Sequence, residues 1–249
     1  MEWRDEAIVL SARRHGERGV ILDALTREHG RHAGLVRYGT SRRLRGVLEP
    51  GNQISVRWHA RLAEQLGQYT VEPMRSRAGV LSDPLRLAGL SAACALALLV
   101  LPEREPHGPV YEGLIGLLDA IERVDLWPAV LARWELGVLE ELGFGLDLTK
   151  CAATGLSDDL IYVSPRSGRA VSRAPGLPYH DRLLPLPAFL LGSQLPAEPA
   201  DIAAGFDLTG FFLSRFVLEP HGWKMPPARN RLRDRLKNFT LQDAKINSG

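Results

Sequence analysis

The chain has 249 residues, 45% of them apolar, and a formal net charge of only +2. That is enough apolar material for one large core or two or three small ones. Two cysteines, Cys94 and Cys151, exclude a disulfide framework and point to a reducing cytoplasm. The charged start Met1–Glu6 has no signal-peptide apolar stretch, and the most apolar segment, Leu87–Leu101, falls short of the ~20 residues a membrane span requires. The small net charge hides an uneven spread. Residues 1–86 carry 15 Lys and Arg against 10 Asp and Glu, residues 87–150 carry 4 against 10, and residues 151–249 carry 12 against 9. A basic front, an acidic middle and a basic end suggest different partners for different regions.

In chain order, Ala7–Leu10 is a short apolar run, followed by the charged, glycine-bearing turn Arg13–Gly19. Val20–Thr26 and His32–Tyr38 read as strands joined by a hairpin at Glu28–Arg31. After the Gly/Arg-rich stretch Gly39–Gly46, Gln53–Trp58 and Gln68–Glu72 alternate with period two. Five short strands in about eighty residues predict a small closed β-barrel, of which the OB-fold is the five-stranded version that commonly binds single strands. Asp83–Pro84 is a helix start, and the helix runs to about Leu101. Further helices are predicted over Val110–Val124 and from Pro128 to about Phe144, with Gly143 as C-cap. Periodicity then breaks. Leu160–Val163 is strand-like, with a hairpin partner around Gly168–Val171. Residues 176–200 end in a short helix, Phe211–Leu218 is a last apolar helix, and a basic stretch from Lys224 to Lys237 follows.

No catalytic motif survives inspection: G-x-S-x-G, the phosphate-binding G-x-x-x-x-G-K-[ST], H-E-x-x-H and G-x-G-x-x-G are all missing. His29 and His32 flank a turn without a third ligand and read as turn or surface residues, as does His180 beside Asp181. The expectation is a protein that is not an enzyme and takes no cofactor.

Four segments taken together resemble the RecO family of bacterial recombination mediators. DEAIVLSARRHGERGVILDALTREHGRHAGLVRYG resembles the family's N-terminal OB-fold, and LARWELGVLEELGFGLDLTKCAATG its third helix and following loop. YVSPRSGRAVS is similar to its zinc-ribbon hairpin, and FFLSRFVLEPHGWKMPPARNRL to its closing helix and tail. The ordered set covers roughly residues 1–236. The resemblance implies an α+β multidomain chain. Its parts would be an OB-fold over 1–80, a helical domain over 81–150 with a hairpin at 151–175 inserted in it, a C-terminal helical part with a basic tail over 176–236, and a tail at 237–249. Many members hold zinc with two Cys-x-x-Cys pairs. Here Cys151 is kept, but Thr154, Ser172 and Pro175 stand at the other positions, and one thiolate does not make a tetrahedral site. A degenerate, metal-free hairpin held by Leu160, Tyr162 and Val171 is the expectation.

The resemblance implies binding of single- and double-stranded DNA, annealing without ATP, and action with RecR and single-strand-binding protein to load a recombinase, in the cytoplasm at the nucleoid. Phosphates would be met by Arg13, Arg14 and Arg18 of the first turn, Arg37 after the third strand, the loop Arg42, Arg43 and Arg45, and Arg57, with Arg61 nearby. Tyr38 and Trp58 are potential stacking platforms, although a strand aromatic is more often core; Tyr38 stays among the DNA candidates. Arg229, Arg231 and Arg233 form a second candidate contact, against the reading of a solvated helix end. Arg133 and Trp134 are the candidate socket for the acidic tail of single-strand-binding protein, against the reading that Arg133 pairs with Glu140 or Asp119. Competing functions are an RNA-binding module, a metal-dependent nuclease, or a scaffold that binds no DNA.

Overall fold

The structure, a computed structural model, describes residues 1–192 and 197–246, with side chains through Lys237. It divides into two compact units, Met1–Arg123 and the residues from Val124 onward.

The first unit opens with a closed barrel. Its strands are β1 (Glu2–His15), β2 (Gly19–Thr26), β3 (Gly30–Val36), β4 (Gln53–His59) and β5 (Gln68–Arg75), joined in the order β1-β2-β3-β5-β4. Closure depends on the length of β1. Its first half pairs with β4, from Glu2 opposite His59 to Ile8 opposite Gln53, and its second half with β2, ending at His15 opposite Gly19. The halves meet at Ala7–Leu10, the one stretch of β1 buried on both faces. Ala7 and Val9 point into the barrel core, and the helix Pro84–Val100 packs over the other side, where the Cys94 thiol donates to the Val9 carbonyl. A strand covered on both faces reads as an unbroken apolar run, which is why only this part of β1 stood out in the sequence. The remaining seam is short: β3 and β5 run parallel and pair only at Leu35 opposite Gln68 and Val36 opposite Tyr69. Gly67 (φ +65°) sits there because a Cβ would lie 2.4 Å from the Trp58 ring.

Helix α1 (Arg42–Arg45) lies between β3 and β4. Helices α2 (Pro84–Val100) and α3 (Gly108–Arg123) complete the unit. Asp83 caps α2 as expected, accepting from the N–H groups of Leu85 and Arg86. Helices α2 and α3 group with the barrel in one compact unit. An ionic network explains this. Arg75 and Arg77, at the end of β5, hold Asp119 and Glu122 of α3 at 2.6–2.7 Å, which ties the helices to the barrel.

The second unit begins with α4 (Trp127–Glu141), ended by Gly143 in the left-handed region (φ +85°) as the sequence predicted. Strands β6 (Leu160–Val163), β7 (Ala170–Ser172) and β8 (Leu184–Pro185) form a small sheet in the order β7-β6-β8, with the one-turn helix α5 (Arg173–Gly176) after β7. Buried Cys151 lies against this hairpin, its Sγ accepting the Ser172 N–H at 3.2 Å. Burial pushes that thiol's pKa up, but hydrogen bonds from Ser172 and Thr154 outweigh it and lower it to about 6, whereas burial pushes Cys94 up to about 12. Among the described residues no group of three or more His, Cys, Asp or Glu stands where it would hold a metal ion.

The last apolar helix starts at Pro199 rather than Phe211. Helix α6 (Pro199–Phe212) opens with a capping box between Glu198 and Asp201 and runs into a π-helical stretch, Leu213–Leu218. The basic segment is not a tail: Pro227–Ile246 is helix α7, and residues 247–249 of the expected tail lie outside the described part. Among the described residues no helix is long and apolar enough to cross a membrane.

Candidate nucleic-acid interface

The segment between β3 and β4 explains how a run of arginines is held outward. Ser41 caps α1 by accepting the Leu44 N–H. Leu44, Val47 and Leu48, spaced as one helical face, pack on the barrel core, so Arg42, Arg43 and Arg45 are left exposed. Buried Asn52 locks the end of the turn. Its amide donates to the carbonyls of Gly46 (2.7 Å) and Val47 (3.2 Å), and its Oδ1 accepts the Arg77 N–H at 2.7 Å.

The first turn comes to the same place. Val20 pairs with Val36, and the Arg18 carbonyl accepts both the backbone N–H and the hydroxyl of Thr40. Arg14, Arg18, Arg37, Arg42, Arg43 and Arg45 are all exposed and form no ion pair with another described residue. Tyr38 stands among them, 62% exposed, with φ at +54°. A bulky residue in the left-handed region carries about 1–3 kcal/mol of strain and is a mark of functional loops. The core reading of Tyr38 is therefore corrected: the left-handed turn ends β3 at Val36 and puts the ring outside the sheet. Trp58 is core, 2% exposed, with its Nε1 donating to the Leu66 carbonyl.

Other candidates are not free in this way. Arg13 donates to buried Asp23 at 3.1 Å. Arg57 pairs with Glu2 at 2.6 Å, across the β1–β4 ladder, and holds that carboxyl below its usual range. His29 pairs with Asp5 and stacks on Trp3. His32 is buried beside Trp3 and Trp58, and burial lowers its pKa. Both histidines have structural places.

The C-terminal candidates need the largest correction. On a helix, residues two apart point to opposite sides. Arg229 therefore shares a face with Leu232, Arg233 and Leu236, and the buried residues of that face carry it inward. Arg229 is 2% exposed. Its Nε and Nη2 donate to Glu135 of α4 at 3.0 and 2.8 Å, and Nη2 also reaches the Phe206 carbonyl and the Thr209 hydroxyl, which itself donates to Glu135. Arg229 is a structural residue, withdrawn from any nucleic acid. Arg233, with Lys237, is paired to Asp207 of α6. Arg231, on the opposite side, is exposed.

The candidate socket splits similarly. Arg133 is exposed on α4, but Trp134 is 6% exposed and belongs to the core, one position round the helix. Asp119, one partner considered for Arg133, is held by Arg75 and Arg77. Sequence reasoning missed Asn52 and Arg77. The signals were Ser41 before a one-turn apolar face, and an arginine at the end of a strand just ahead of a capped helix.

Residues 1–77 match the family model described as Recombination protein O N terminal, and residues 81–224 match Recombination protein O C terminal. The chain is 53% identical over 237 residues to a DNA repair protein RecO of Caulobacter vibrioides, covering 95% of this chain and 98% of the relative. It is 52% identical to that of Phenylobacterium zucineum, with the same coverage. Against that of Rhodospirillum centenum it is 52% identical over 240 residues, covering 95% of each. With both family models matched in order and the relatives covered nearly end to end, the chain belongs to the RecO family of DNA repair and recombination proteins.

Proposed function

We propose that this chain binds single- and double-stranded DNA through one end of its barrel and anneals complementary strands without ATP, making and breaking no covalent bond. In this reading the barrel is an OB-fold, the β6–β7 hairpin is the remnant of a zinc ribbon, and the chain works with RecR and single-strand-binding protein in loading a recombinase. The observation that carries the reading is the set of six exposed arginines at one end of the barrel, without acidic partners among the described residues, gathered around an exposed tyrosine. Guanidinium groups displace the counterions of a phosphate backbone, which supplies affinity without sequence preference. Two strands so neutralised repel each other less, and pairing itself drives the reaction downhill. Arg133, exposed on α4, is our candidate contact for the acidic tail of single-strand-binding protein.

The test replaces Arg42, Arg43 and Arg45 together by Ala. Single-strand affinity should fall, and the slope of log affinity against log salt should flatten by about 2, at roughly 0.7 per lost phosphate contact. An unchanged slope would remove this turn from the interface. Annealing of complementary oligonucleotides without nucleotide should fall in parallel.

A further inference from the structure

Two sets of contacts at the end of β5 join into one path. Asp119 and Glu122, one turn apart near the end of α3, hold the Arg77 guanidinium through Nη2 and Nη1 at 2.6 and 2.7 Å, and Nη2 also donates to Gln53 at 3.3 Å. The Arg77 backbone N–H donates to the Asn52 side chain, whose amide in turn holds the carbonyls of Gly46 and Val47, where the arginine turn ends. The two middle links, Arg77 and Asn52, are both buried, so water does not stand in for a lost partner. Stability is a poor account of Arg77. A buried ion pair commonly stabilises a fold no more than an apolar side chain of the same volume would. The Arg77 Nε has no hydrogen-bond partner, which adds to its cost. Arg75 already ties the end of β5 to the same two carboxylates. What Arg77 adds is position: a guanidinium gripped on two sides fixes the backbone N–H that orients Asn52.

We propose that Arg77 is a positioning residue for the arginine turn: clamped by Asp119 and Glu122, it holds Asn52, and through Asn52 it sets how Arg42, Arg43 and Arg45 are presented. The inference rests on the backbone grip described above. It adds that the acidic end of α3 takes part in binding without touching the nucleic acid. The Arg77 side chain is 1% exposed and makes no such contact itself. The turn needs an outside hold because α1 is a four-residue helix, far below the length at which a helix keeps its own shape. Packing of Leu44, Val47 and Leu48 decides which face is inward, and the Asn52 bonds decide where the turn stops.

The test uses changes that conserve charge, so that the field felt by the nucleic acid is unaltered. Arg77→Lys keeps the backbone donor and the positive charge but reaches one carboxylate instead of two. Glu122→Asp withdraws one carboxylate by a methylene, and it keeps the question open to test should Arg77→Lys fail to fold. Ile121→Val, a buried change on the same helix outside the path, is the control. Two quantities are measured in the full chain: affinity for a dT oligonucleotide over a range of salt, and hydrogen exchange at the amides of Leu44, Arg45, Val47 and Leu48, which donate to the Ser41 and Leu44 carbonyls. Each clamp variant should speed exchange at these amides about fivefold relative to the β1–β2 ladder. Each should lower affinity about three- to fivefold with the salt slope unchanged, because no phosphate contact is lost. Asn52→Ala already cuts the path, so adding Arg77→Lys to it should cost no further affinity. Ile121→Val should move neither quantity. Unchanged exchange in the folded clamp variants overturns the tether. Faster exchange with unchanged affinity, an additive loss in the double variant, or an equal loss in Ile121→Val overturns its part in binding. Failure of the grip reads differently: the triple arginine variant would leave affinity and slope unaltered, while exchange in α1 would still report the tether.

Discussion

The arginines of the barrel turn and those of the last helix look alike in sequence: both are tight clusters, one toward the start and one toward the end of the chain. The fold treats them oppositely. Around Arg42–Arg45 the apolar residues Leu44, Val47 and Leu48 take the inner face, and every arginine of the turn is exposed. On α7 the buried face includes an arginine, Arg229, because α4 offers a buried carboxylate, Glu135, to receive it. Basic character in a sequence is therefore not a surface property until the apolar face of each element is known.

The strongest way to break this comparison is Arg229→Ala. It would strand the Glu135 carboxylate in the second unit's interior, and the loss of stability should be about 3–5 kcal/mol in denaturant unfolding. A loss under about 1 kcal/mol would mean that the arginine is not committed inward and belongs with the barrel set after all. Asn52→Ala comes next. It leaves two carbonyls and one N–H without their partner, and should cost about 2 kcal/mol. It should also loosen the turn, so DNA affinity falls although no cation has been removed. Unchanged affinity in the folded variant would show that the turn needs no fixed geometry to work. The smallest effect is expected at Arg233→Ala, whose partner Asp207 is half exposed: about 0.2–1 kcal/mol in unfolding, with DNA affinity within twofold of the unaltered chain. A large drop in affinity there would restore the C-terminal helix as a second contact.

Much of the architecture was legible because it follows local rules. Period-two segments became β4 and β5, Asp83–Pro84 started α2, and Gly143 ended α4. What was missed depends on distant partners. The full reach of β1 shows in no local pattern, since its outer residues face water on one side. Helix α6 was placed late because its first half is small and mixed, and its start is marked only by Pro199 in the first turn and the pairing of Glu198 with Asp201. In the site, the arginines of the turn were found from the sequence, while the fates of Tyr38, Trp134 and Arg229 were not. Tyr38 leaves the core through one backbone angle, Trp134 enters it through its place on a helix face, and Arg229 is decided by a carboxylate 94 residues away.

The short parallel seam between β3 and β5 has a mechanical meaning. Four joints of this cylinder are long and antiparallel, and the fifth is two residues wide. Under load such a shell tears along its weakest stitch, and this one ends at Val36, immediately before the Arg37–Tyr38 corner. Amide hydrogens of Leu35 and Tyr69 should exchange with solvent ahead of those in the β1–β2 ladder, and the wall that splits first is the one from which the arginine-bearing loop is hung.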